Sequence, residues 1–225
     1  FLGRATATNA PGAGSVGASQ LASDAVTAAK LNDDIISGQT ALASEPADTD
    51  EFLVSDAGTL KRIDYSLIKG GGLTGMDMWR QTANTTSNAQ PITSNWERVD
   101  TGGFAGIGTA FSAPSSGIWT FPSTGIWEVH FSYNVQSTVS DVTVNSAIQI
   151  TENNSSYTIR AYGTCGVGTA ITWKAQVPIS VVVDVTDTTQ VKFKLDIDNL
   201  TSGSVMVGNT DANYSYVIMK KLGET

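Results

Sequence analysis

The chain has 225 residues and a formal net charge of −8, with 13 Lys and Arg against 21 Asp and Glu and no basic run. That balance excludes nucleic acid as a partner, because binding phosphates needs clustered cations to displace counterions. Insertion into a membrane is not expected either, since no run of about 18 apolar residues is present and Phe1-Leu2-Gly3-Arg4 lacks the basic-then-apolar order of a secretion signal.

Aromatic residues divide the chain. All five tryptophans lie between Trp79 and Trp173, and Phe1 is the one aromatic among the first fifty residues. We therefore expect a slender N-terminal part and a globular C-terminal head. The absence of an initiator Met leads us to expect a piece of a longer chain.

Residues 1–18, rich in Gly, Ala, Ser, Thr and Asn, cannot bury enough apolar surface to fold alone and read as an extended linker or attachment segment. From Ser19 a heptad stripe begins: Leu21, Ala28 and Ile35 recur every seven residues, with Ala25 and Leu31 roughly midway. This predicts a short helical stalk within 19–47. Isolated helices below about 12–15 residues are marginal in water, so the stripe must be buried against identical copies or against the head.

Residues 48–74 predict a β-hairpin collar and a Gly-rich hinge. Phe52-Leu53-Val54 and Leu60-Lys61-Arg62-Ile63 flank Ser55-Asp56-Ala57-Gly58, an Asp-x-Gly turn between apolar runs. A lone hairpin is barely stable and asks for copies around an axis or for docking on the head. Gly70-Gly71-Gly72 marks the boundary, leaving 75–225 as the head.

The head alternates with a period of two. Trp127, Val129, Phe131, Tyr133 and Val135 share one face of a strand, with Glu128, His130, Ser132 and Asn134 on the other. Val191, Phe193, Leu195 and Ile197 repeat the pattern, as do Val142, Val144, Ile148 and Ile150, then Ile179, Val181, Val183 and Val185, and finally Val217 and Met219. Turn residues separate the runs, so the head reads as a sandwich or barrel.

Residues 117–131, with an aromatic strand at Trp119-Thr120-Phe121, a Pro122-Ser123 turn and Gly125-Ile126-Trp127-Glu128-Val129-His130-Phe131, resemble the centre of the complement-globular-head and tumour-necrosis-factor superfamily. Likeness continues through 181–191 and the closing strand at Tyr214-Ser215-Tyr216-Val217-Ile218-Met219. The resemblance implies an all-β jelly-roll head that forms a tight homotrimer and binds partners without catalysis. A second resemblance covers Gly14 to Leu31 and Asp50 to Ile63, which are similar to repeats in fibre proteins of marine and cyanobacterial phages. It implies a virion protein, attached to other virion proteins through the N-terminal segment, whose head contacts a host surface glycan or protein or decorates the particle. The alternatives are a secreted complement-like binding module and a glycan-active jelly-roll enzyme.

Chemistry-bearing residues are sparse. Cys165 and His130 are the only Cys and His, so neither an intrachain disulfide nor a zinc cluster is available. We expect a loop thiol in Gly163-Thr164-Cys165-Gly166 and a surface imidazole, with no cofactor and no metal. Glu128, Glu152, Asp184, Asp196 and Asp198 are the carboxylates a glycosidase would need in a pair; Glu128 reads as a polar strand face and Asp196-x-Asp198 as a solvated one. Strand parity places the connections 136–141, 163–168 and 199–213 at the apex, far from the stalk. Ser137, Ser140, Tyr162, Gly166, Thr201, Ser202, Asn209 and Tyr214 are the expected apical binding residues, a set suited to adaptable polar recognition with aromatic support.

Overall fold

Small and polar residues dominate the first third of the chain, and its structure follows from that. The computed structural model describes residues 13–14, 16–23, 25–27, 30–31, 34–69, 72–100, 102–139, 141–167 and 173–225. Contacts divide the chain into two units, one ending at Lys69 and one beginning at Gly70. Among the described residues no helix is long and apolar enough to cross a membrane.

In the first unit the expected stalk helix is replaced by a 3-10 turn at Ala18–Gln20 and one short helix, α1 (Asp34–Ser37). Of the described residues between them, Lys30 is in a 3-10 turn and the rest are irregular. Two heptads yield too few hydrogen bonds to offset nucleation, and the described stripe residues Leu21, Ala25, Leu31 and Ile35 are exposed. The hairpin forms as expected. Strands β1 (Glu51–Asp56) and β2 (Thr59–Asp64) pair in register from Glu51 opposite Asp64 to Asp56 opposite Thr59. Ala57 and Gly58 both take positive φ (49° and 86°), the two-residue turn whose twist matches that of the strands. None of the unit's described side chains is buried.

The second unit is a sandwich of β3 (Gly75–Gln81), β4 (Trp96–Arg98), β5 (Ile118–Thr120), β6 (Gly125–Ser137), β7 (Asp141–Thr151), β8 (Thr158–Val167), β9 (Trp173–Val185), β10 (Lys192–Asp198), β11 (Ser204–Met206) and β12 (Tyr216–Gly223). One sheet has the order β5-β10-β7-β8, and the other β4-β3-β12-β6-β9, with β11 extending the β12 side of β6. All named pairs are antiparallel, and the chain crosses between sheets from β4 to β5, β5 to β6, β6 to β7, β8 to β9, β9 to β10 and β10 to β11, which makes the head a jelly roll.

The alternating runs meet in the middle. Trp119, Trp127, Val129, Phe131, Tyr133, Ile148, Phe193, Leu195 and Ile197 are essentially inaccessible. Trp119 stacks on Phe193 with centroids 5.6 Å apart, while Trp79 and Trp96 meet Trp119 edge-on at 5.4 and 5.3 Å. Such pairs contribute about 0.5–1.5 kcal/mol each beyond area burial.

Gly75 lies opposite Lys221, and Lys221 opposite Trp127, so β3 begins and β12 ends at the same end of the head. A Cβ at Gly75 would sit 2.8 Å from the Trp127 ring, which is why a glycine starts this strand. Connections 121–124, 152–157 and 186–191 share that end, while the strand ends Ser137, Asp141, Val167, Trp173, Asp198 and Ser204 gather at the far end.

Candidate functional site

At the far end, hydrogen bonding welds two connections together. Asp141 Oδ2 accepts from the backbone N–H and hydroxyl of Thr201 at 3.1 and 3.0 Å. Ser137 Oγ lies 3.0 Å from Ser204 Oγ and donates to the Val139 carbonyl at 2.6 Å, while Thr138 N–H donates to the Gly203 carbonyl at 3.1 Å. Burial pushes the Asp141 carboxyl up, but hydrogen bonds from Ser204, Thr201 and Thr143 outweigh it and hold the group below its ordinary value.

The structure thus brings Ser137 and Thr201 together and puts the exposed Ser202 on the turn beside them. Ser137 itself is buried and braces the loops. Asn209 spends its side-chain oxygen on the Asp211 and Ala212 N–H groups at 2.7 and 2.8 Å. Tyr214 is partly exposed, with Lys174 Nζ 5.8 Å from its ring centroid. Ser140 lies outside the described residues. Gly166 and Cys165 lie within β8, where a loop was expected, and Tyr162 projects from the middle of that strand, away from the far-end cluster. The glycines that suggested a loop serve packing, since a Cβ at Gly163 would meet Ile179 Cγ2 at 2.6 Å.

Cys165 is half-buried beside Tyr133 in the core, and burial pushes both groups up. His130 projects from the opposite face of β6, its ring 6.4 Å from that of Tyr216, so it cannot serve the thiol as a base. It is half-buried where a surface position was expected.

That outward face of β9, β6 and β12 forms a second surface. Glu128 is paired with Lys220 at 3.1 Å. Gln176 donates to Ser132 Oγ at 2.5 Å and to the Tyr214 carbonyl at 3.0 Å, and accepts from Asn134 Nδ2 at 3.0 Å. Pro178, Ile218 and the exposed Val182 lie on the same face, which carries two carboxylates (Glu128, Asp184) and two ammonium groups (Lys174, Lys220).

The remaining carboxylates fall in two places. Glu152 and Asp184 line an open groove of ≈ 520 Å³, where Glu152 is held by Arg160 at 3.2 Å. Asp196 departs from expectation. It is buried, with Gln149 donating to its Oδ2 and burial raising its carboxyl above the ordinary range. Its neighbours include Gln149 of β7 and Gln90, partners remote in sequence. Among the described residues, no three His, Cys, Asp or Glu side chains form a metal-holding group.

No family model matches the sequence, and no curated protein does. Solved structures that match include Eiger TNF from S. frugiperda, with a TM-score of 0.47 and 9% identity over 68% of this chain and 96% of that one. Murine APRIL matches in structures determined at pH 5.0 and pH 8.5, with TM-scores of 0.47 and 0.44, 11% identity, and coverage of 66% of this chain and 98% of theirs.

Proposed function

We propose that this chain is a non-enzymatic homotrimeric fibre or appendage of a bacterial virus, whose jelly-roll head contacts the host surface or decorates the particle. The observation that carries the self-assembling part is the first unit: none of its described side chains is buried, while Leu53 and Leu60 are 76% and 69% exposed and Leu21, Leu31, Ile35 and Phe52 are also open. A segment of that kind gains stability by laying its apolar residues against copies of itself. The outward face of β9, β6 and β12 favours the same reading, because balanced charge lets like copies approach in a chain whose net charge is −8.

The trimer, the virion location and attachment through the N-terminal segment rest on the two sequence resemblances. The non-catalytic reading is supported by the pairing of Glu128 with Lys220 and of Glu152 with Arg160, which leaves neither free as a general acid. Light scattering in dilute neutral buffer is expected to give three times 23.6 kDa. A monomer at micromolar concentration would refute the assembly. Antibodies against the head should decorate virus particles in negative-stain images; binding to no particle, with recovery from cell supernatant, would favour the secreted binding module.

A further inference from the structure

On the outward face of the β5-β10-β7-β8 sheet lies a cavity of ≈ 120 Å³ lined in part by Asn145, Gln149, Ile159, Tyr162, Asp196 and Asp198. Its chemistry is unbalanced. Asp196 is 5% exposed, and although Gln149 donates to Oδ2, Oδ1 has no partner. Asn145 Oδ1 is equally buried and equally unpartnered. An acceptor withdrawn from water and left unmade bears its full desolvation cost, and two such acceptors on side chains that line one cavity mark a place where a positively charged or donating group would be stabilised.

Strand register brings the oxygens together. Asn145 stands directly opposite Asp198, and Ala147 directly opposite Asp196. Cross-strand neighbours have Cβ atoms about 5 Å apart, and residues two apart on one face of a strand are separated by about 7 Å. Asn145, Asp196 and Asp198 therefore form a triangle on one face of the sheet around the small side chain of Ala147, all four lining the cavity. The nearby ammonium does not fill it, because Lys194 Nζ rests 3.7 Å from the centroid of the Tyr157 ring.

We propose that Asn145, Asp196 and Asp198 form a binding site for a hard divalent cation, Ca²⁺. All the available ligands are oxygens, two of them carboxylates, which is the donor set such ions take. Nitrogen or sulfur ligands for zinc are lacking. The cavity, at ≈ 120 Å³, has room for an ion and bound water, and the mixed, asymmetric donors suit flexible calcium coordination over the near-ideal octahedron that Mg²⁺ demands. With two carboxylates where tight sites gather more, the affinity falls at the weak end, with a Kd of about 10⁻⁴–10⁻³ M, as in extracellular modules. The site lies within the head and needs no second copy.

The test is calorimetric titration of Ca²⁺ into the chelator-treated full chain, alongside thermal melts. One ion per chain is expected, with Tm rising across the stated concentration range and Mg²⁺ giving a smaller rise. Asp198→Asn is the decisive variant, because its side chain is partly exposed and its loss leaves no hole in the fold. It should weaken Ca²⁺ binding at least tenfold and keep the ion-free melting behaviour. Asp196→Asn should also abolish the calcium response, and Glu152→Gln should leave it intact. The proposal is overturned if Ca²⁺ at about ten times the upper Kd produces neither heat nor a melting shift, or if the response survives in both Asp198→Asn and Asp196→Asn.

Discussion

Arg98 Nε donates to Asp77 Oδ1 at 2.8 Å, and that carboxylate, on β3 between β12 and β4, is 1% exposed. It also accepts from the Phe111 N–H at 2.9 Å, the Trp79 indole at 3.2 Å and the Met78 N–H at 2.9 Å. One side chain thus fastens residues 98 and 111 to β3. Removing one partner of a buried charge pair costs about 3–5 kcal/mol. Asp77→Ala should approach that loss in urea unfolding, and Arg98→Ala should cost less, because the remaining N–H donors still satisfy the carboxylate. Equal and small losses would show that Asp77 is not the fastening point.

The core prediction follows from parity along β6. Trp127 and Phe131 are at most 1% exposed, and the Phe111 ring stands perpendicular to Trp127 at 5.3 Å. Replacing either β6 aromatic by Ala should cost about 3–5 kcal/mol, the range for emptying a large side chain from a packed interior. His130→Ala, on the outward face, should stay within about 1 kcal/mol in the isolated chain, as substitutions away from the core do. A cost of several kcal/mol at His130 in the assembled protein would place this face in a subunit interface.

Two carboxyls give opposite pH signatures. Asp141 has a lowered folded-state value, so its contribution is present above the ordinary carboxylate range near 3.9 and is lost as pH falls through the folded value. Asp196 has a raised one, so between the ordinary and the raised value the folded chain holds a proton that the unfolded chain has released, and stability falls as pH rises through that window. In ion-free buffer, Asp141→Asn should therefore weaken the protein at neutral pH and flatten its acid limb, while Asp196→Asn should raise Tm at neutral pH. Parallel urea titrations across the acid range check both, and the same sign for both variants would refute the assignment.

How much of this was legible in the sequence depends on where each residue's partners lie. The strand from Gly125 to Ser137 could be read because burial on one face writes a period of two into the residues themselves. The hairpin could be read because Asp56-Ala57-Gly58 carries its own turn chemistry. The stalk helix was misread because a heptad stripe states what it would bury and not whether a partner is present. Asp196 passed for a solvated residue because Gln149 and Gln90, which lie beside it, are distant in the chain. Gly163 marked a loop by composition, yet in space it lets β8 pass close to Ile179.

The far-end connections give the last prediction. An insertion after Gly166 would break the pairing of Val167 with Asp141, so Ser202 is the better place to probe recognition. Ser202 is exposed between Thr201, tied to Asp141, and Gly203, whose φ of 102° only glycine takes easily. A short Gly-Ser segment inserted after Ser202 lengthens an exposed turn, which is well tolerated when its anchors remain. The variant should melt within a few degrees of the parent and keep its assembly state, because the bonds from Asp141 to Thr201 and from Ser137 to Ser204 survive. If the chain is the viral fibre proposed above and its far end carries receptor recognition, particles bearing the insertion should adsorb to the host at least tenfold more slowly. Undiminished adsorption with an intact oligomer would remove this end from recognition and leave the head a decorating role.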